Sequence, residues 1–228
     1  MKKLSIIMAV YNERDNIEKV LEKIFKVETG LDREIIIVDG CSTDGTKEAL
    51  NKIARSDIKV IFQEKKNGKG AALRIGFECA KGDIILIQDA DLEIDPAEYP
   101  NLLRPILENK TQIVYGSRFL KGRGMTNAIN YFGNRLMTAT MNILFGTKLT
   151  DIETCYKVFC SDIIKKFDFL CNGFDLDAEL TALFLKDKRT IMEVPINYNP
   201  RNRKDGKKLH WMTGLSSLAA IIRTKFLS

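Results

Sequence analysis

The chain has one histidine, His210, and one tryptophan, Trp211, among its 228 residues. A lone imidazole excludes multi-histidine metal sites and argues against a histidine-based triad. The five cysteines (Cys41, Cys79, Cys155, Cys160, Cys171) form no C-x-x-C pair, and several lie in apolar runs. That pattern argues against a disulfide frame or zinc site and for reduced thiols. No apolar run approaches the roughly 18 residues that span a bilayer. "MKKLSIIMAV" leads into a polar helical pattern without a cleavage site, so it reads as a first strand. These absences predict a cytoplasmic chain, soluble or peripheral to a membrane. "NGKG" near Lys69 lacks the spacing of a P-loop, and no glycine-rich nucleotidyltransferase start follows the first strand.

Charge is present but uneven. Residues 201–225 hold Arg201, Arg203, Lys204, Lys207, Lys208, Arg223 and Lys225 against Asp205, so this segment carries the whole net charge of +6. So local a potential suits a discrete phosphate or an anionic membrane surface, and no nucleic-acid partner is expected.

Short apolar runs alternate with amphipathic stretches through the first half. Strands are expected at 4–10, 34–38, 59–62, 83–87 and 113–117, with helices at 16–26, 46–54, 69–80 and 96–108. This rhythm predicts an α/β fold with a mostly parallel, Rossmann-like central sheet and helices on both faces. Further on, helices are expected at 129–145 and 176–186 and strands at 155–159 and 191–196. Without repeats or a long linker, residues 1–228 read as one domain.

"IILIQDADLEIDP" poses the sharpest question, because a core-like run ends in Asp89 and Asp91. Two like charges about 4 Å apart at an effective dielectric near 20 repel by roughly 4 kcal/mol. Residues spaced by two share a side of an extended chain. A hard divalent cation, Mg²⁺ or Mn²⁺, would reverse their repulsion while also gripping substrate phosphates. Glu13 and Asp39 end the first two strands, where ligands of open parallel sheets bind. Asp39 suits a base N–H and Glu13 a ribose. Asp39 reads equally as a cap, as do Ser42 and Asp44 in "CSTDGT".

"SIIMAVYNERDNI", "IIIVDGCSTDGT", "NGKGAALRIGFECAKGDIILIQDADLEIDP", "VYGSRFL", "TDIETCYKVF" and "EVPINYNPRNRKDGKKL" together resemble an inverting family 2 glycosyltransferase of GT-A fold. The later segments are most similar to the branch of polyprenyl- and dolichyl-phosphate mannose synthases. The resemblance implies a nucleotide-sugar-binding half at 1–117, an acceptor-binding half at 118–210 and an amphipathic segment at 211–228. It also implies transfer of mannose or glucose from a nucleoside diphosphate sugar to a polyprenyl phosphate. Ala9, Tyr11, Glu13, Asp39, Lys69 and Ala90 would border the donor, and Asp89, Asp91 and Glu93 would hold the metal. Arg118 and Arg135 would engage the acceptor phosphate. Arg203, Gly206 and Lys208 resemble a shortened loop that closes over the diphosphate. The chain departs from the family with Ala9 for a usual proline, "VDGCS" for "VDDGS", and one residue fewer in the basic loop.

An alcohol acceptor needs a general base, and Asp177 stands where hydroxyl-acceptor members carry one. An already anionic phosphate monoester needs none. Asp177 reads equally as a first-turn helix residue, and Asp151 as a cap or a sugar contact. Leu136–Phe145 is expected to pack in the core. "WMTGLSSLAAIIRTKF" is too short to span, but Trp211, Arg223 and Lys225 suit an interfacial helix beside anionic headgroups, with a separate membrane subunit as a further partner.

Overall fold

The computed structural model describes residues 2–121, 128–200 and 212–227, the side chains of 128–130 and 212–213 excepted. Strands β1 (Lys3–Val10), β2 (Asp32–Asp39), β3 (Ile58–Phe62), β4 (Ile84–Ile87), β5 (Ile113–Ser117), β6 (Lys157–Cys160) and β7 (Met192–Pro195) form one sheet. Their order is β3-β2-β1-β4-β6-β5-β7. All run parallel except β6, which is antiparallel to both β4 and β5. The order turns back between β1 and β4, the crevice where open α/β sheets bind ligands.

Strand β1 reads as a nearly continuous apolar run because both of its faces are covered. Leu4, Ile6, Met8 and Val10 pack with α1 (Ile17–Lys26), α2 (Thr46–Asn51) and α4 (Tyr99–Leu107). Ile7 faces the other way, with Ile85, Ile87 and Phe159, against α3 (Lys69–Cys79), α6 (Ser161–Ile164) and α7 (Leu176–Lys186). Helix α1 buries Ile17, Val20, Leu21 and Ile24, the i, i+3, i+4, i+7 stripe its sequence announces. Helices α5 (Ala128–Phe145) and α8 (Met212–Phe226) pack beside α7 through Met141, Ala178, Ala182 and Ile221.

Four expectations are corrected. The helix expected at 96–108 is a 3₁₀ turn, Pro96–Glu98, followed by α4; Asp95 caps the start of the turn by accepting the Ala97 N–H. The 83–87 strand stops at Ile87, so Asp89 and Asp91 lie in a loop and not on extended chain. The 155–159 strand begins only at Lys157, because Thr154 turns the chain by bonding the Gly116 carbonyl and the Tyr156 N–H. Helix α5 buries Asn134, Thr138 and Met141, whereas Phe132, Leu136 and Ile143 are exposed. The stretch at 136–145 therefore only half joins the core. No helix among the described residues is long and apolar enough to cross a membrane.

Candidate active site

The loops that leave β1 and β2 are stitched together. Asn12 donates its N–H to Ser42 Oγ at 2.9 Å and accepts the Thr43 N–H at 2.8 Å. Asp44 accepts from the Arg14 and Thr46 N–H groups and so pins both loops, but the N-cap of α2 is Gly45, not the expected Asp44 or Ser42. Asn12 and Cys41 sit at φ 51° and 69°, a left-handed conformation that such bonding holds in place. Asp39 is fully buried, and its Oδ2 accepts the Cys41 and Ser42 N–H groups at 3.1 and 3.0 Å. Its Oδ1 has no hydrogen-bond partner among the described residues, and neither has the buried Oε1 of Gln63 beside it. A buried acceptor left open is costly, and a ligand N–H donor would meet that need. Glu13 is tied to Asn16 at 2.7 Å, and Tyr11 lies under the Lys66 ammonium at 4.1 Å. Ala9 is partly buried against the α3 side of the sheet.

Beyond β4, Gln88 anchors the loop. Its amide donates to the Asp89 carbonyl, and its Oε1 accepts from the buried Tyr99 and Tyr156 hydroxyls at 2.7 and 2.6 Å. Asp89, one member of the pair, is met by Lys69, whose Nζ lies 3.0 Å from Asp89 Oδ1 and 3.5 Å from Asp177 Oδ2. Burial opposes the ammonium charge, but Asp177 and Asp89 outweigh it and hold the Lys69 pKa well above the lysine range. Lys69 opens α3, whose Gly70 and Ala71 N–H groups are taken by the Gly173 and Asn172 carbonyls at 3.1 Å each. Gly68 and Gly70 make this approach possible: an added Cβ would lie 2.3 and 2.8 Å from that backbone. Asp91 accepts the Glu93 N–H across Leu92, which takes φ 61°. Glu93 accepts from the Tyr198 hydroxyl at 2.7 Å. Among the described residues no three acidic, thiol or imidazole groups converge as a metal cage, so the expected set with Glu93 is not assembled. Asp89 and Asp91 on one loop still suit a Mg²⁺-type ion, which takes one or two carboxylates plus phosphates. Ala90 was expected at the substrate, but its methyl is buried in the core.

Because β6 runs antiparallel, the segment that precedes it arrives at the same sheet edge as the ends of β4 and β5. Arg118, just past β5, donates from Nε and Nη2 to Asp151 at 2.7 Å each, and both residues are buried. Asp151 is thus the counterion of Arg118, the arginine expected to meet the acceptor. Burial alone would raise the Asp151 pKa; Arg118 overrides this and holds it below the aspartate range. Glu193 on β7 fixes Asp151 by accepting its N–H at 2.9 Å. Asn134 donates to Asp151 Oδ1 at 3.1 Å, whereas its neighbour Arg135 is exposed. The structure brings Asn134, not Arg135, to this pair.

Asp177 in the first turn of α7 is gripped from two sides. Lys157, fully buried on β6, donates to its Oδ1 at 2.9 Å, and Lys69 approaches its Oδ2. Burial pushes the carboxyl up, but the two lysines prevail and its pKa lies below the usual range. Nearby Glu153 is different: burial and the Asp177 charge raise its pKa to about 7, with Lys157 and Arg118 only partly offsetting them.

Sequence reasoning missed Lys157, Glu153, Asn134, Gln88 and Gln63. A lysine inside an apolar strand, "CYKVF", is the one local signal among them. Arg203, Gly206, Lys208 and Trp211 lie outside the described residues. Arg223, expected at headgroups, bonds Glu179 at 3.0 Å, while Lys225 lies over the Phe145 ring.

The family model described as Glycosyl transferase family 2 matches residues 5–167. A dolichol-phosphate mannosyltransferase of Pyrococcus furiosus is 31% identical over 90% of this chain and 59% of its own length. The low-salt glycan biosynthesis hexosyltransferase Agl6 of Haloferax volcanii is 28% identical, over 87% and 48%. The chain thus spans about half to three fifths of the relatives it matches. A glucosyl-3-phosphoglycerate synthase from Mycobacterium tuberculosis, crystallised with phosphoglyceric acid, superposes with a TM-score of 0.77. It is 21% identical and covers 100% of this chain and 81% of its own. The same synthase with Mn²⁺, UDP and glucosyl-3-phosphoglycerate gives 0.73 at 21% identity, over 98% and 80%.

Proposed function

Since the chain belongs to glycosyl transferase family 2 and carries its GT-A fold, we propose that it moves a hexose from a nucleoside diphosphate sugar to a polyprenyl phosphate. The observation that carries this reading is the state of Asp177. A general base needs a lone pair free for the incoming proton and a pKa near the working pH. Asp177 instead spends both oxygens on lysines and is held more acidic than an ordinary aspartate. A phosphate monoester, with its second pKa near 6, reaches the site already ionised and needs no such base.

On this reading the open Oδ1 of Asp39 receives the base of the donor, and Tyr11 and Glu13 border the nucleoside. Mg²⁺ or Mn²⁺ held by Asp89 and Asp91 would supply positive charge to the leaving diphosphate. The described carboxylates of the site outnumber Lys69, Lys157 and Arg118, an imbalance that a divalent cation suits. Lys69 adds a fixed positive charge beside Asp89, and Arg203 and Lys208 are assigned to the diphosphate by resemblance. An acceptor oxygen then displaces the diphosphate at the anomeric carbon in one step and inverts it, so positioning supplies most of the acceleration. The relative of P. furiosus is named for a dolichol-phosphate acceptor, which supports the lipid. Residues 1–228 act as one domain, placed peripherally at the cytoplasmic membrane face by α8 and, where present, a membrane subunit.

The test is transfer from a panel of UDP- and GDP-hexoses to a short polyprenyl phosphate, with Mn²⁺ and with EDTA. Metal-dependent product from one donor supports the reading. Donor binding without lipid product from any sugar overturns it.

A further inference from the structure

Helix α7 grips the start of α3 at two levels. Asp177 takes the Lys69 ammonium directly, at 3.5 Å. Two residues on, Glu179 is 2% exposed and holds a stretch of backbone. Its Oε2 accepts the Cys171 N–H at 2.9 Å, and both of its oxygens lie within 3.2 Å of the Leu170 nitrogen. The next two residues close the other side of that loop, where the Asn172 and Gly173 carbonyls take the Ala71 and Gly70 N–H groups of α3. Asn172 Oδ1 also accepts from Arg74 at 3.0 Å. The first-turn amides of α3, which would otherwise suit an anion, are thereby spent on protein. The positive group that α3 offers at Asp89 is the Lys69 side chain, 3.0 Å away. Glu179 is itself fixed by Leu170, Cys171 and the Arg223 guanidinium, and hydrogen bonds to a charged acceptor are about twice as strong as neutral ones.

We propose that Glu179 is a positioning residue for the donor diphosphate, acting through the 170–173 loop and Lys69. The carboxylate fixes Leu170 and Cys171, the loop seats the first turn of α3, and Lys69 is thereby held beside Asp89. This rests on the nucleoside diphosphate part of the reading above and adds a residue that the family resemblance does not assign. Releasing the loop leaves Lys69 in place in only a fraction of the molecules, and donor affinity falls by that fraction.

Calorimetry of UDP and of GDP, each with Mn²⁺, tests this in the intact chain with wild type, Glu179→Gln and Glu179→Leu. Glu179→Leu is expected to bind the preferred nucleotide roughly tenfold more weakly, as when about a tenth of the molecules keep the loop seated. Glu179→Gln, whose amide oxygen can still accept both N–H groups, is expected to stay within about threefold of wild type. Acetylation read by mass spectrometry follows Lys69 itself. It should be labelled faster in Glu179→Leu relative to the other lysines, whereas a general loss of stability would expose them alike. Should Glu179→Leu not fold, hydrogen exchange of wild type decides. The Gly70, Ala71, Leu170 and Cys171 amides should exchange as one unit, and the nucleotide with Mn²⁺ should protect all four together. Equal nucleotide affinity and equal Lys69 labelling in wild type and Glu179→Leu overturn the inference while the donor reading stands. Four amides that exchange independently overturn it too, as does a loss in Glu179→Gln as large as that in Glu179→Leu. Wild type that binds neither nucleotide overturns both.

Discussion

Lys157 Nζ donates to Asp177 Oδ1 at 2.9 Å, and neither side chain is more than marginally exposed. With Lys69 on its other oxygen, the pair leaves Asp177 no free lone pair for a proton on the reading proposed above. Asp177→Asn should therefore act chiefly on stability. It leaves Lys157 buried without its counter-charge, a change that typically costs about 3–5 kcal/mol. Urea unfolding should show that loss. Transfer to polyprenyl phosphate, assayed cold enough to keep the variant folded, should fall by no more than about tenfold. A loss of several hundredfold in folded protein is the signature of a missing base, whose contribution is about 10²–10⁴.

The second buried pair sets an acid limit. Asp151 has a folded pKa below that of the unfolded chain, where the ordinary value is 3.8. Its contribution is complete above the unfolded value and is lost as pH falls through the folded one. Asp151→Asn should be less stable than wild type at pH 7, by about 3 kcal/mol, and the two should converge as pH drops below 4. Parallel stability curves across that range, followed by urea midpoints, would sink this account of the pair.

Lys69 reaches the site because a loop backbone seats α3 from above. Gly70→Ala places a methyl within 2.8 Å of Asn172 C and Gly173 O. The cost should be about 1–3 kcal/mol, typical of overpacking. Donor KM should rise as Lys69 shifts from Asp89, while acceptor KM changes less. An unchanged melting temperature and donor KM would show that the loop yields freely.

Helices α5 and α8 show large apolar side chains to solvent: Phe132, Leu136 and Ile143 on one, Leu215, Ile222 and Phe226 on the other. An interfacial contact uses such residues, and basic neighbours favour anionic lipid. Replacing each trio with serine, helix by helix, should weaken sedimentation with anionic vesicles. Stability should stay within about 0.5 kcal/mol per site, as for other surface changes. Vesicle binding that survives both variants assigns the contact elsewhere.

The elements of the first half were legible because their signals are local: apolar runs, glycines and amphipathic periods. Strand β6 was legible as a strand, though not in its place or direction, which depend on Ile84–Leu86 finding Val158–Cys160 in antiparallel register; nothing in "YKVFC" states a direction. Asp39 was readable as a cap or as a ligand, and the fold divides the two between its oxygens: Oδ2 holds the loop, while Oδ1 is left open. The charges that matter most were legible singly but not as pairs. Lys69 meets Asp89 across 20 residues and Asp177 across 108, and only the folded sheet edge brings them together.

The most direct test of the central claim compares a polyprenyl phosphate with the corresponding polyprenol as acceptors, using one nucleoside diphosphate hexose and Mn²⁺. The account predicts an inverted hexosyl-phospholipid from the phosphate and no product from the alcohol. Transfer to the alcohol, or to a sugar hydroxyl, with none to the phosphate would contradict it.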